Sequence, residues 1–277
     1  MTIGDGLGMD CGLDRRHMWN ILAIMVKWHS FVRLLRLCFL VILLFDHISR
    51  RLPMIFVYSL GGSILAGRDP ESLRQYAQAL KELAAEHQIF VVVGGGKIAR
   101  EYIEKARALG ASEMFCDLIG IGATKLNSAL LVAALGDAAP KEIPDSYALA
   151  ARLAQKGKIV VMGGVAPGQT TDAVSALLAE YVHADKLIVD TSVDGVYTAD
   201  PEKDPTAKKL AQMTIHQLSL MAMQTEMKAG SRSPVDPLAA KIIERSSIPT
   251  SIVLGSKIEN LRKGALGGHT GTDIRPE

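Results

Sequence analysis

Three glycine-rich turns are the parts of this sequence best suited to chemistry. Each follows an apolar run: Gly61-Gly62-Ser63 after residues 55–58, Gly94-Gly95-Gly96-Lys97 after residues 89–93, and Gly163-Gly164 after residues 159–162. Glycine lets the backbone approach an anion closely, and a helix that starts after the turn directs free N–H groups at the same place. Three such turns at the strand ends of one sheet can hold more than one phosphate. The pattern therefore favours a phosphoryl-transfer enzyme.

Polar residues next to these turns could bind the phosphates. Arg100 is expected in the first turn of a helix that starts at Lys97, where its guanidinium can join the backbone amides and grip a phosphate through two N–H groups. Thr170 and Thr171 occupy a helix N-cap position, where their hydroxyls either cap the helix or bind a second phosphate. Asp172 follows in the first turn, a place that suits any carboxylate through the helix dipole, so position alone does not make it catalytic.

The elements that must position these residues alternate strand, turn and helix from Met54 onward, which predicts a mainly parallel sheet covered by helices. Apolar spacing predicts helices over about 69–86, 97–109, 112–135, 213–223 and 234–246, with another that starts near Thr171. Strands are expected over 158–162, 187–189 and 250–254. The segment 264–271 has four glycines in eight residues and is expected to be a loop.

Composition excludes several classes of protein. The 277 residues carry a net charge of +2, which gives no reason to expect a nucleic acid as partner. The three cysteines, with no CxxC spacing, argue against a disulfide framework and against a structural zinc site. We therefore assign no metal ligands in the chain and expect a protein of the reducing cytoplasm.

The first 53 residues differ from the rest. They contain both tryptophans, two of the three cysteines, and seven Lys or Arg against four Asp. Their longest apolar run, Leu37 to Phe45, is nine residues, well short of the roughly 20 that span a bilayer. Because Met54 directly precedes the first strand, we expect translation to begin there and residues 1–53 to be a start-site misassignment. A helix lying on a membrane surface is the alternative.

The familiar nucleotide-binding motifs are missing. The sequence contains no G-x-x-x-x-G-K-[ST] loop, no G-x-G-x-x-G fingerprint, and no H-R-D or D-F-G pair. A phosphoryl-transfer enzyme built from this chain therefore needs another architecture.

Four motifs occur in a fixed order: Gly61-Gly62-Ser63, Gly94-Gly95-Gly96-Lys97-x-x-Arg100, Gly163-Gly164 with Thr170-Thr171-Asp172, and Asp194 to Pro201 continuing through Lys203-Asp204-Pro205. Asp236-Pro237-Leu238-Ala239-Ala240-Lys241 follows them. In this set the chain resembles the amino acid kinase family, and most closely its archaeal uridylate kinases, over Met54 to Glu277. The resemblance implies a three-layer α/β/α sandwich, phosphorylation of UMP by ATP with Mg²⁺, and a homohexamer. It implies a UMP-binding lobe over 54–183 and an ATP-binding lobe over 184–277.

The resemblance also implies roles for individual residues. The ATP phosphates would be bound by Gly61, Gly62, Ser63, Gly96 and Arg100, and the adenine and ribose by Thr191, Ser192, Tyr197 and Asp200. UMP would be bound by Gly95, Asp117, Val165, Ala166, Pro167, Gly168, Gln169, Thr170 and Thr171. The catalytic residues would be Arg100, Asp172 and Lys97.

One departure from the family pattern concerns the charge on the transferred group. Many members of the family carry a lysine two residues before the first Gly-Gly, and this chain has Ser59 there. Lys97, Lys241, or Mg²⁺ together with Arg100 would have to supply the missing charge. Two alternatives stay open: a family member with another acceptor, such as isopentenyl phosphate or an amino acid, and a non-catalytic protein that binds nucleotides or oxyanions.

Overall fold

Runs of β-branched and apolar residues build the central sheet of the protein. The computed structural model describes residues 53–66, 69–199, 204–226 and 235–277, so the expectation for residues 1–53 falls almost entirely outside them. The strands are β1 (Ile55–Leu60), β2 (Gln88–Val93), β3 (Ile159–Met162), β4 (Lys186–Thr191), β5 (Val196–Tyr197), β6 (Lys209–Leu210), β7 (Gln212–Thr214), β8 (Thr250–Leu254) and β9 (Thr272–Arg275). Seven of them form one sheet in the order β3-β2-β1-β4-β8-β9-β7, and β5 and β6 form a small antiparallel pair.

All neighbours in the large sheet are parallel except β8 and β9, which are antiparallel. The helices between the strands are α1 (Gly62–Ala66), α2 (Pro70–Ala84), α3 (Gly96–Ala108), α4 (Glu113–Leu135), α5 (Tyr147–Leu153), α6 (Thr171–Tyr181), α7 (Ile215–Glu226), α8 (Pro237–Ser246) and α9 (Glu259–Leu266). The mainly parallel sheet covered by helices is thus confirmed.

Several helices begin where the sequence predicts, because the capping residue that fixes a helix start is a local signal in the sequence. Asp69 accepts from the backbone N–H groups of Glu71 and Ser72, and Ser112 from that of Phe115. Thr170 accepts from the N–H of Ala173 at the start of α6. A side-chain cap of this kind contributes about 1 kcal/mol, enough to fix where a helix begins.

The loop expected over 264–271 is wrong in its first three residues, which are helical, and residues 267–271 do form a loop. Gly264 lies inside α9, where a Cβ would come within 3.0 Å of the Ile188 side chain, so this glycine serves close helix–sheet packing. Gly267 and Gly268 do have positive φ angles and end the helix. The chain then enters β9, which pairs with β8.

Helices cover both faces of the sheet, giving three layers. Because side chains alternate along a strand, Phe56, Tyr58 and Leu60 of β1 face a core formed with α1, α2, α4 and α9. Val57 faces the opposite core, formed with α5, α6, α7 and α8. Ser59 is on the same face as Val57, and this places its hydroxyl toward α6.

The helix α4 is long and apolar enough to cross a membrane by length and composition alone. Its buried residues pack in the domain: Leu131 and Leu135 belong to the core that α2 and β1 share. Asn127 and Ser128 on the same helix form hydrogen bonds to backbone carbonyls of the protein. We therefore interpret α4 as a structural helix of this domain.

Candidate active site

The carboxyl ends of β1, β2, β3 and β4 meet at one edge of the sheet, and each is followed by a turn. In open parallel sheets, ligands bind outside the carboxyl ends of the strands, at the point where the strand order reverses. Here β1 lies between β2 and β4, so the turns after these three strands are neighbours. The sheet therefore brings together glycine turns that are more than 30 residues apart in sequence.

The first two glycine turns pack backbone against backbone. A Cβ on Gly62 would lie 2.2 Å from the Gly94 oxygen and 2.3 Å from the Gly96 nitrogen. Gly96 has a φ of +62°, and its Cβ would lie 2.6 Å from the Gly62 carbonyl carbon. No other residue type fits at either position without moving main-chain atoms.

Hydrogen bonds fix the two turns. The N–H of Gly61 donates to the Asp190 carbonyl oxygen at 3.0 Å, and the N–H of Gly94 donates to the Leu60 oxygen at 2.8 Å. The Asn127 amide donates to the carbonyl oxygens of Gly94 at 2.8 Å and Gly95 at 3.1 Å. A site that is rigid before its ligand arrives has less conformational entropy to lose on binding.

A cavity of about 260 Å³ lies over these turns, and we call it the phosphate cavity. Its lining residues are Gly61, Gly62, Ser63, Gly94, Gly95, Gly96, Arg100, Thr171, Asp172, Val189, Asp190, Thr191 and Ser192. Ten of these thirteen were assigned to ATP, UMP or catalysis from the sequence. Arg100 is the fifth residue of α3 and so lies beyond the first turn expected for it.

Arg100 is the single basic side chain that lines the phosphate cavity in the part of the chain the structure describes. The lysines considered as substitutes for the residue missing at Ser59 lie elsewhere. Lys97 has an 80% exposed side chain 3.6 Å from Glu101, and Lys241 is paired with Glu244 at 2.7 Å. Backbone N–H groups and Arg100 are thus the positive groups on hand for an anion.

Asp172 is the half-buried carboxylate at the edge of the phosphate cavity. Its Oδ1 accepts a hydrogen bond from the Ser59 hydroxyl at 2.6 Å. Desolvation raises the pKa of Asp172 to about 6, although the Ser59 hydrogen bond lowers it, and the charge of Asp236 raises it further. Burial therefore opposes the ionisation of Asp172, and the Ser59 hydrogen bond favours it.

A second cavity, of about 160 Å³, adjoins the first and shares Gly95 and Thr171 with it. We call it the acceptor cavity. It is lined by Gly95, Ala99, Ile103, Asp117, Gly120, Ile121, Thr124, Gly164, Gln169 and Thr171. One side is apolar, and Asp117 provides the acidic group.

The loop after β3 closes the acceptor cavity. The N–H of Gly168 donates to Asp117 Oδ2 at 2.8 Å, and the Tyr147 hydroxyl donates to Gln169 Oε1 at 3.3 Å. Val165 packs against the core, and Ala166 and Pro167 complete the loop without lining either cavity. Gly168 and Thr170 also lie outside the two linings.

Thr170 caps α6 and also donates to Asp236 Oδ2 at 2.5 Å, which links the starts of α6 and α8. Its hydroxyl is therefore already used in the protein, whereas Thr171, the next residue, lines both cavities. Of the two functions that the sequence left open for this pair, the structure shows capping for Thr170.

The structure places the residues assigned to adenine and ribose differently with respect to the phosphate cavity. Thr191 and Ser192 line the phosphate cavity at the end of β4. Tyr197 lines neither cavity, and its hydroxyl donates to Asp194 Oδ1 at 2.7 Å. That hydrogen bond and the ion pair with Lys209 at 3.0 Å lower the pKa of Asp194. Asp200 lies outside the described residues.

Sequence reasoning missed three polar side chains that shape the site. Asp190 is the penultimate residue of β4 and lies beside the first turn, and its carboxylate accepts from the Tyr76 hydroxyl. Thr124 accepts from the N–H of Gly164 at 2.7 Å, and Asn127 holds the second turn. Thr124 and Asn127 are buried polar residues three apart on the apolar helix α4, and that spacing was the available signal.

A sequence model of the amino acid kinase family matches residues 54–254. The chain belongs to the amino acid kinase family. Among its relatives, a uridylate kinase of Methanothrix thermoacetophila is 59% identical over 222 residues, which are 80% of this chain and 100% of that protein. A uridylate kinase of Methanococcoides burtonii is 55% identical over 221 residues, 79% of this chain and 94% of that protein.

Solved structures show the same amino acid kinase architecture. The crystal structure of a uridylate kinase from Archaeoglobus fulgidus superposes with a TM-score of 0.72 at 47% identity, covering 79% of this chain and 99% of that one. An aspartate kinase structure from Synechocystis has a TM-score of 0.60 at 21% identity, over 80% of this chain and 40% of that one. The second likeness concerns the fold alone.

Proposed function

We propose that this amino acid kinase is a UMP kinase, which transfers the γ-phosphoryl group of ATP to UMP and forms ADP and UDP. The observation that carries the proposal is the pair of adjoining cavities at the glycine turns, in a chain 59% identical to a uridylate kinase along that protein's whole length. Two phosphate-bearing substrates can meet where the cavities share Gly95 and Thr171. The biological product, UDP, feeds the synthesis of other pyrimidine nucleotides.

ATP would occupy the phosphate cavity. Backbone N–H groups of the first turn (Gly61, Gly62 and Ser63) and of Gly96 would bind its phosphates without side-chain reorganisation. Thr191 and Ser192, at the end of β4, would contact the ribose. Tyr197 and Asp200 follow in the same segment of chain and are proposed for the adenosine part.

UMP would occupy the acceptor cavity. Asp117 would accept hydrogen bonds from the ribose hydroxyls, for which a carboxylate is a suitable partner. Gly95 would lie against the UMP phosphate, and Thr171 would donate to it at the N-terminus of α6, where the helix dipole favours an anion. Val165, Ala166, Pro167, Gly168, Gln169 and Thr170 would surround the phosphate and base.

The transfer itself needs alignment and charge neutralisation more than covalent chemistry. Arg100 lines the cavity where the two substrates would meet and would grip the transferring group through two N–H donors. Asp172 would orient cationic groups there. Lys97 remains a proposed catalytic residue, which would have to leave its contact with Glu101 to reach the phosphates. We propose a direct in-line transfer with no phosphorylated enzyme.

Mg²⁺ would enter with ATP. Within the described residues no group of three or more His, Cys, Asp or Glu could hold a metal ion. Asp172 and Asp190, the carboxylates of the phosphate cavity, accept hydrogen bonds from Ser59 and Tyr76. Because these two carboxylates are already engaged in hydrogen bonds within the protein, they fit a Mg²⁺ ion whose ligands are nucleotide phosphates and water, as is common for this ion. When bound, it would neutralise charge on the β- and γ-phosphates.

The assembly is proposed to be a homohexamer in the cytoplasm, without nucleic acid or membrane as partner. Its N-terminal lobe would hold UMP and its C-terminal lobe ATP.

Self-association is supported by the apolar side chains that α3 and α4 expose, which are Ile98, Tyr102, Met114, Phe115, Leu118 and Leu126. Sedimentation velocity is expected to give six times the monomer mass, and a monomer at micromolar concentration would contradict this.

A steady-state ADP-release assay on the full chain tests the proposed acceptor. With ATP and Mg²⁺, we expect turnover with UMP to exceed that with CMP, dTMP, isopentenyl phosphate, glutamate or carbamate by at least 10²-fold, because acceptor hydrogen bonds left unmade in a closed cavity are costly. Faster turnover with another acceptor would keep the fold and replace the substrate. Nucleotide binding without any turnover would favour a binding protein.

A further inference from the structure

Ser59 is a buried polar residue that the proposed mechanism has not used. It is 3% exposed and is the penultimate residue of β1, two residues before the first glycine turn. The alternation of side chains along β1 directs it toward α6. There its hydroxyl donates to Asp172 Oδ1 at 2.6 Å, and it is the single side-chain donor to Asp172 among the described residues.

The charged surroundings of Asp172 do not favour an ionised carboxylate. Asp236, which caps the start of α8, adds a like charge, and Asp190 of β4 lines the same cavity. Among the described residues, Arg100 of α3 is the one basic residue in that lining. Arg152 of α5 is exposed, and β2 contains no ionisable side chain. Desolvation and the charge of Asp236 both raise the pKa of Asp172 and so act against the ionised form.

Against this background the Ser59 hydroxyl has two effects on Asp172. A short hydrogen bond to a carboxylate stabilises its charged form. It also restricts the rotation of the Asp172 side chain, because the donor is fixed on a central strand of the sheet. Both effects concern a group at the edge of the phosphate cavity.

We propose that Ser59 is a positioning residue for phosphoryl transfer, which holds Asp172 ionised and in one orientation at the edge of the phosphate cavity. The proposed function assigns this carboxylate the orientation of cationic groups there. The inference rests on the proposed kinase function for its catalytic part. Ser59 does not touch the transferred group in this account, and acts through Asp172.

The first test is the pH profile of kcat/KM for UMP in the wild-type protein and in Ser59→Ala. Removing the hydroxyl is expected to move the acid limb to higher pH by about one pH unit, so that activity falls about fivefold at pH 6, about 10-fold at pH 5 and little at pH 8. Ser59→Thr retains a hydroxyl and should return the limb toward wild type. The substrate phosphates titrate identically with every variant, so the difference between variants reports on the protein.

A matched control is available on the same sheet. Ser251 on β8 is also fully buried, and its hydroxyl donates to the Asp273 carboxylate at 2.7 Å, but neither residue lines a cavity of the site. Ser251→Ala should therefore leave the acid limb in place. An equal displacement in Ser251→Ala and Ser59→Ala, or none in Ser59→Ala, would overturn the inference.

The second test does not depend on activity. Carboxyl ¹³C NMR of the ligand-free protein, with the Asp172 signal identified by its loss in Asp172→Asn, should show a higher titration midpoint in Ser59→Ala than in wild type. An unchanged midpoint would overturn the positioning role. If the wild type fails to phosphorylate UMP while the midpoint moves, the proposed function is at fault and the Ser59–Asp172 link stands.

Discussion

Replacing Arg100 with alanine is expected to lower turnover by about 10²–10³-fold, the usual loss when one fixed donor to a developing charge is removed. Arg100 is the single basic side chain lining the phosphate cavity among the residues described, so no neighbouring cation there can substitute for it. The side chain is exposed on α3, and its removal should leave the thermal unfolding midpoint unchanged. Steady-state kinetics and calorimetry on the same preparation measure both quantities.

Two further variants test whether the loss of turnover is specific to the Arg100 guanidinium. Arg100→Lys should recover only part of the activity, because an ammonium group cannot make the two parallel N–H contacts of a guanidinium. Arg74→Ala removes an exposed arginine of α2 that pairs with Glu71 at 2.9 Å, away from the cavities, and should retain wild-type turnover. Near-normal turnover in Arg100→Ala would show that the transferring phosphoryl group does not bind at Arg100.

Replacing Gly62 with alanine is expected to abolish most activity and to destabilise the fold. The new Cβ would lie 2.2 Å from one backbone atom of the second turn and 2.3 Å from another, so the two turns must separate. Overpacking of this kind costs about 1–3 kcal/mol, and a turn displaced by 1 Å can reduce turnover about 10²-fold. Denaturant unfolding and kcat measure the two effects.

Gly122→Ala is the matched control for Gly62. Gly122 lies within α4, and its added Cβ would meet no atom within 4 Å. Alanine is a better helix former than glycine, so this variant should gain about 0.5–1 kcal/mol and keep its activity. Equal losses in both variants would show that general sensitivity to the methyl group, and not the contact between the turns, explains the result.

The glycine turns and most helix starts could be predicted from the sequence because their signals are local. Each turn follows an apolar run, and Asp69, Ser112 and Thr170 sit at cap positions whose geometry needs only three or four residues. The parallel sheet follows from the alternation of strand and helix. The family resemblance supplied the grouping of residues from distant segments, and the phosphate cavity brings ten of them together.

Features that depend on pairing between distant residues were not predictable in this way. Nothing near Thr272 indicates that it begins a strand, since β9 exists through its pairing with β8 and β7. The β5–β6 pair likewise joins segments more than ten residues apart. The Ser59–Asp172 hydrogen bond spans 113 residues and requires both the face of β1 and the start of α6. The role of Asp200 and the division into UMP and ATP lobes stay predictions.

The most direct test of the central claim is a single-turnover experiment with γ-³²P-labelled ATP, Mg²⁺ and UMP on the full chain. Direct in-line transfer predicts that the label passes to UDP, with one UDP formed for each ADP and no labelled protein at any quench time. Label released as inorganic phosphate without UDP, or label accumulating on the protein before UDP appears, would contradict a direct transfer between two nucleotides bound at the glycine turns.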